Sequence, residues 1–293
     1  MDGRCGGVGA GGWQGELLDL EGYLGRIGFR GEQAAGEGVL RELVRAHVTA
    51  LPFENFDAVL GVDIPLDVPA VQDKVLRRRR GGYCYEHAVL FAAALERLGF
   101  RFTALHGRVT LGSEKVTPAT HALLLAEVPG DSRRWLCDVG YGAGPLEPIE
   151  LVDGARSEVG GWPFRLERRP GEFGIDHWWL HHRGPDGWVD RHTFTLTPQH
   201  PVDYVGGSHY VGTHPRSPFT RRAYAQRFDG RRHQILDGDE WTTVLPDGSR
   251  SSRTVHPRDL ARVLGEEFAI VLDEDTSARL AGRGTATSAP SAR

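Results

Sequence analysis

Apolar residues recur at helical spacing through the first third of the chain. Leu17, Leu20, Leu24 and Ile27 keep a three-to-four spacing, as do Leu40, Leu43 or Val44, and Val48. Pro69 is placed to open a third helix running through Val71 and Val75. A fourth run, Glu86 to Leu98, is rich in Ala and Leu and stops at Gly99. Beyond Gly99 the pattern changes to strands: Arg101–Leu111, Thr120–Val128 and Arg134–Val139, bounded by Gly, Pro and Asp. Two hairpins follow. One turns at Gly184-Pro185-Asp186-Gly187, between Trp178–His182 and Trp188–Thr195, and the other at Pro246-Asp247-Gly248. Pro257–Leu264 reads as a last helix, ended by Gly265. The expected division is a tail over 1–12, a helical domain over 13–99, a β domain over 100–196, a mixed α/β part over 197–280, and a tail over 281–293.

Composition narrows the classes. At 293 residues, two or three packed subdomains are expected. Acids and bases nearly balance, to a formal charge of −4, so nothing favours nucleic acid or an anionic membrane as partner. No apolar run approaches a membrane span, and no signal peptide is recognised. Three cysteines, Cys5, Cys84 and Cys137, do not make a disulfide framework, and a reducing cytoplasmic setting fits.

The segment Arg80-Gly81-Gly82-Tyr83-Cys84-Tyr85-Glu86 carries the most chemical information. Its glycines allow a tight turn, and a helix starts just after it. Cys84 then sits at a helix N-terminus, where free N–H groups and the helix dipole favour a thiolate and can hold an oxyanion. The plainer reading is a small buried packing residue.

A thiolate nucleophile needs a base, and the base an orienting group. Thirteen histidines leave composition unable to choose. Pro129-Gly130-Asp131 marks a hairpin turn, and a tip between Pro129 and Gly130 pairs His121 with Asp138, on one face of the sheet. By alternation Cys137 faces the other way and is inert. The loop Gly140-Tyr141-Gly142-Ala143-Gly144-Pro145 permits close approach of a ligand, or is a simple flexible turn. Arg77–Arg80 reads as a solvated helix end. His177, His181 and His182 read as strand residues rather than metal ligands, and no metal is expected. Trp178 and Trp179 read as packing.

The cysteine segment, Thr120-His121 opening a strand, and Asp138-Val139-Gly140-Tyr141-Gly142 together resemble the arylamine N-acetyltransferase family. Pro52-Phe53-Glu54-Asn55 and Ser217-Pro218-Phe219 support the likeness, which spans about Leu20 to Asp273. The resemblance implies an α+β fold: a helical bundle, a central antiparallel β-barrel and an α/β lid, with a core related to papain-like and transglutaminase enzymes. It implies Cys84 as nucleophile, His121 as base and Asp138 as orienter. Phe53, Tyr141 and Phe219 would line the pocket, with Thr120, Gly140, Gly142, Tyr210 and Ser217 near substrate or coenzyme. It implies acetyl-CoA as co-substrate, no permanently bound cofactor, and an arylamine or hydrazine as acceptor. Neither nucleic acid nor membrane is an expected partner, and a homodimer is allowed. Three positions depart from the family pattern: Tyr85 and Tyr141 stand where Phe is common, and His87 replaces an amide residue.

Three rivals share much of this reading. An amide synthase closing a macrolactam from a polyketide thioester would use the same three residues. A cysteine protease or transglutaminase-type enzyme shares the residue set but not the cysteine motif. A binding module would need only an unreactive thiol.

Overall fold

The computed structural model describes residues 12–171 and 174–284. The expected N-terminal tail up to residue 11, with Cys5, lies outside the described residues, as does 285–293. Composition placed the start of the second tail at Ala281, yet a helix runs on through Gly284.

The helical part contains α1 (Leu20–Ile27), α2 (Glu37–Ala50), α3 (Phe56–Leu60), α4 (Val68–Gln72) and α5 (Cys84–Arg97). Asp19 caps α1 by accepting from the Gly22 amide, and Asp67 caps α4 by accepting from Ala70. The third expected helix is α4 continued as a π-helical turn over Asp73–Arg77. α5 is buried along nearly its whole length, which explains its near-continuous Ala, Leu and Phe content.

Eight antiparallel strands form the second part. β2 (Arg101–Val109), β3 (His121–Glu127), β4 (Arg134–Cys137) and β5 (Ile149–Glu150) lie on one side. β6 (Arg156–Ser157), β7 (Phe164–Arg169), β8 (His177–Gly184) and β9 (Gly187–Phe194) complete it, β2 pairing with β9. The edge strands β5 and β6 are joined by a short connection, so the sheet curls into a nearly closed barrel. The expected turn at Pro185-Asp186 joins β8 to β9. Trp178 is buried, and Trp179 carries the Arg169 guanidinium over its face.

The third part begins with α6 (Pro201–Thr213). It continues with β10 (Tyr224–Phe228), β11 (His233–Asp237), β12 (Glu240–Val244) and β13 (Arg250–Thr254), then α7 (Leu260–Phe268) and α8 (Glu274–Gly284). Its sheet recruits β1 (Phe53–Glu54) from the helical part, paired to β10. α7 does not stop at Gly265. Leu260, Val263, Leu264 and Phe268 keep one apolar stripe, buried in a separate core with Trp241 and Ile270, and the left-handed cap is Ala269. That burial outweighs the cost of about 1 kcal/mol for an interior glycine. Among the described residues no helix is long and apolar enough to cross a membrane.

Candidate active site

Cys84 is the first residue of α5, and two arrangements fix it there. Glu86 accepts from the Tyr83 amide at 3.0 Å, tying the turn to the helix start. The second Glu86 oxygen meets Lys74 Nζ at 2.8 Å, and Lys74 also pairs with Asp57 at 2.6 Å. Arg80 completes the cluster, bonding Glu54 at 2.7 Å and Asp57 at 3.0 Å. Arg80 therefore departs from the expected solvated run: it is buried, whereas Arg77, Arg78 and Arg79 are exposed. Burial alone would neutralise Lys74, but the carboxylates Glu54, Glu86 and Asp57 hold it charged.

His121 opens β3, and Asp138 follows directly after β4. The observed register pairs Leu124 with Cys137 and Glu127 with Arg134, two residues away from the expected pairing. The connection is wider than a tight turn, with the Val128 carbonyl accepting from Asp131 and Asp131 accepting from the Arg133 amide. His121 and Asp138 are therefore not directly opposite. A shift of two preserves the alternation of faces, so both side chains still point the same way. His121 Nε2 donates to Asp138 Oδ1 at 2.8 Å. The Cys84 thiol lies near enough to the same imidazole to raise it, and with Nε2 committed to the carboxylate Nδ1 is the nitrogen left for the thiol. Cys84 Sγ also lies 3.7 Å from the Thr120 carbonyl.

A second imidazole holds the carboxylate, and nothing local in the sequence marks it. His192, on β9 and fully buried, donates from Nε2 to Asp138 Oδ2 at 2.9 Å. The ligating atoms of His121, Asp138 and His192 lie within 4.8 Å of one another. Each histidine directs its Nε2 at a different carboxylate oxygen, which makes the group a hydrogen-bonded row. Burial favours neutral groups here, but the charges and hydrogen bonds reverse it. Asp138 is held far below the usual carboxylate range by His121 and His192, and Asp138 and Cys84 push His121 up to about 10. Cys137 is buried on the other face, its thiol pushed well up by desolvation.

Close approach of the barrel to α5 depends on Gly140. A Cβ there would lie 2.8 Å from Cys84 Cα and 2.9 Å from its carbonyl oxygen. Two residues on, Gly142 takes φ +90° and lets the loop turn beneath Gln226.

Cys84 and His121 open into a cavity of about 700 Å³. Seven of the eight residues expected around the ligand line it: Phe53, Thr120, Gly140, Tyr141, Tyr210, Ser217 and Phe219. Gly142 does not, and Asp138 stands behind His121. The histidines of β8 are strand residues, as their context implied, and His182 reaches the cavity. The sequence reading missed His182, Arg191, Gln226, His233 and Arg250, all on this wall. They come from five different strands, so no local motif joins them.

A helical bundle, a nearly closed barrel and a thiol beside an imidazole–carboxylate pair at the wall of a ligand-sized cavity are the parts of a thiol-based acyl-transfer site. The N-acetyltransferase family model matches residues 38–277. An arylamine N-acetyltransferase of Mycolicibacterium smegmatis is 42% identical over 69% of this chain and 74% of its own length. The crystal structure of the Nocardia farcinica arylamine N-acetyltransferase superposes with a TM-score of 0.89 at 53% identity, over 92% of this chain and 95% of that one. The Mycobacterium marinum enzyme in complex with CoA superposes at 0.84 with 33% identity, over 91% and 98%. The chain belongs to the arylamine N-acetyltransferase family.

Proposed function

We propose that acetyl-CoA-dependent N-acetylation of arylamines, the activity of this enzyme, proceeds in two steps through an acetyl thioester on Cys84. Arylhydrazines serve as acceptors in the same way. The observation that carries the reading is the hydrogen-bonded row His121, Asp138, His192 beside Cys84, with the thiol and His121 both lining the cavity.

In the first step the Cys84 thiolate attacks the acetyl carbonyl of acetyl-CoA. The first-turn amides of α5, which have no acceptor within the helix, hold the tetrahedral oxyanion, an effect of about 3–4 kcal/mol. The carbon–sulfur bond to CoA breaks, and His121 gives its proton to the departing thiolate. One thioester replaces another, so the step is close to thermoneutral. CoA leaves and the amine enters. Its nitrogen attacks the acetyl-Cys84 carbonyl, the bond to Cys84 sulfur breaks, and His121 takes the amine proton. The thiolate–imidazolium pair is restored. Arylamines are favoured because they stay unprotonated at neutral pH, whereas alkylamines are mostly ammonium.

Asp138 and His192 act through His121, the first by holding it charged and the second by holding Asp138. Phe53, Tyr141 and Phe219 form the aromatic wall, with Thr120, Tyr210 and Ser217 beside the ligand path. The nucleophile belongs to the helical part, 13–99, the base and orienter to the barrel, 100–196, and residues 197–280 close the cavity as a lid. The setting is the cytoplasm.

Intact-protein mass tests the scheme. Incubation with acetyl-CoA should add one acetyl group at Cys84, and an arylamine should then remove it as the N-acetyl product. Cys84→Ala should show neither. An unlabelled Cys84 in protein that still turns over would remove the thioester from the mechanism.

A further inference from the structure

Three buried side chains, one from each of three helices, form a single hydrogen-bonded series behind the site. The Tyr23 hydroxyl of α1 meets His47 Nδ1 of α2 at 2.8 Å, and His47 Nε2 meets His87 Nδ1 of α5 at 2.9 Å. His87 Nε2 then reaches the Pro52 carbonyl at 3.2 Å. Phe91 closes one side, edge-on to His47 at 5.2 Å. Cys84, His121 and Asp138 take no part in the series, yet one end of it flanks them. His87 lies one turn beyond Cys84 on α5, and Pro52 precedes Phe53, which lines the cavity.

The series has one proton order. A carbonyl only accepts, so His87 Nε2 carries the hydrogen. Burial holds His87 neutral, lowered to about 4, and holds His47 well below its ordinary value. Neutral His87 therefore accepts at Nδ1, which obliges His47 to donate from Nε2. His47 in turn accepts at Nδ1, so the Tyr23 hydroxyl donates, and burial keeps that phenol protonated. Every donation runs from α1 toward Pro52, each imidazole tautomer being fixed by the bond its other nitrogen makes.

The carbonyl at the end is otherwise weakly held. It takes the Gly82 amide at 3.4 Å, and a Cβ at Gly81 would overlap its oxygen. Phe53 beyond it opens β1, the two-residue strand that ties the helical part to β10. Its ring meets Phe219 at 5.7 Å and Tyr224 at 6.2 Å. The start of α5, by contrast, has its own anchors in Glu86 and Lys74. Loss of the series therefore frees Pro52-Phe53 before it frees Cys84.

We propose that Tyr23, His47 and His87 form a directional relay that holds the Phe53 wall in register with Cys84 through the Pro52 carbonyl, and so sets how an arylamine meets the acetyl enzyme. The inference rests on the acetyl-Cys84 reading. All three are positioning residues, and none of them lines the cavity.

The proton order is tested in the unaltered protein. Long-range 1H–15N spectra at pH 7, assigned with His47→Gln and His87→Gln, should show both imidazoles neutral with hydrogen on Nε2. An Nδ1–H tautomer or an imidazolium at either position would overturn the relay. Kinetics then compare two fates of acetyl-Cys84 in each variant: transfer to an uncharged arylamine, 4-methylaniline, and hydrolysis, in which water needs no aromatic wall. His87→Leu removes both the donor to Pro52 and the acceptor for His47. It should raise KM for the arylamine about tenfold, lower kcat less, and leave hydrolysis close to wild type. His87→Gln, whose amide donates to Pro52 and accepts from His47, should restore most of the KM. Tyr23→Phe removes only the first donor and should fall between; it carries the same comparison if His87→Leu does not fold. Equal losses in transfer and hydrolysis, or wild-type KM in the folded variants, would overturn the proposal. Absence of an acetyl group on Cys84 in wild type would instead count against the underlying reaction.

Discussion

Replacing Asp138 with Asn keeps the shape of the side chain and removes its charge. Asp138 accepts from two imidazoles, His121 at 2.8 Å and His192 at 2.9 Å. An amide offers one oxygen and one NH2, so only one histidine can keep its Nε2–H directed at residue 138. If His121 is the one that turns over, its proton moves to Nδ1 and the nitrogen facing Cys84 can no longer take up a proton. If His192 turns over, His121 still loses the anion that holds it charged. The rise of His121 from 6.5 to about 10 corresponds to about 5 kcal/mol favouring the imidazolium, against burial that opposes it. Without Asp138 burial wins, and His121 is neutral at pH 7. The expected cost is about 10³- to 10⁴-fold in the acetylation of Cys84, the scale on which a misdirected base tautomer acts. Quenched-flow mass spectrometry on the first half-reaction reads this directly, with circular dichroism and melting to establish that the variant is folded. Iodoacetamide labelling of Cys84 gives an independent reading, because the variant lacks the carboxylate that holds His121 toward the thiol. A folded Asp138→Asn protein that acetylates Cys84 within tenfold of wild type would refute the assignment of Asp138 as orienter.

His192→Phe leaves Asp138 Oδ2 buried with no donor, which should cost about 1.5–3 kcal/mol in urea unfolding and slow acetylation less than Asp138→Asn does. Equal rates in wild type and variant would make His192 a packing residue. His87, bonded to His47 at 2.9 Å, is lowered by burial to about 4. Its unfolded value is near 6.5, so below that pH the unfolded chain binds a proton that the folded one refuses. Stability should thus fall as pH drops through 6.5 to 4, by about 1.4 kcal/mol per unit and about 3 kcal/mol in all. His87→Gln should remove this part of the acid slope in urea titrations, and an unchanged slope would contradict it. Gly140→Ala forces a Cβ against Cys84 backbone and should slow acetylation about 100-fold, measured as CoA release, with a much smaller change in melting temperature. Lys74→Met leaves Glu86, Asp57 and Glu54 with Arg80 alone and should destabilise the fold by about 3–5 kcal/mol in chemical denaturation.

What the sequence could express about the site is what lies close together in the chain. The glycine turn before Cys84 and the start of α5 are adjacent, so the place of Cys84 at a helix N-terminus was legible. His121 and Asp138 sit on neighbouring strands, and their shared face follows from alternation alone. The offset of two did not, because it depends on how Val128 to Arg133 folds back on itself. His192 stands 54 positions beyond Asp138 on a strand that joins the barrel through β2, and only the strand order brings them together. Arg80 looked like one of four solvated arginines because its partners Glu54 and Asp57 lie more than twenty residues upstream. Gly265 looked like a stop because the core that carries α7 past it is assembled from strands far from it in sequence.

These long-range contacts divide into two supports, one on each side of the reacting atoms. The Lys74–Glu86 cluster fixes the start of α5 and hence Cys84, while His192 and Asp138 fix His121 on the barrel. Neither support alone sets the distance from sulfur to imidazole. That distance depends on how α5 packs on β3, where Gly140 allows backbone to approach backbone. Each half can be stable while the pair is misplaced, because stability sums over the whole core and the rate depends on one separation. Substitutions where α5 meets the barrel should therefore impair acetylation before they impair folding. Substitutions within the Lys74 cluster should reverse that order.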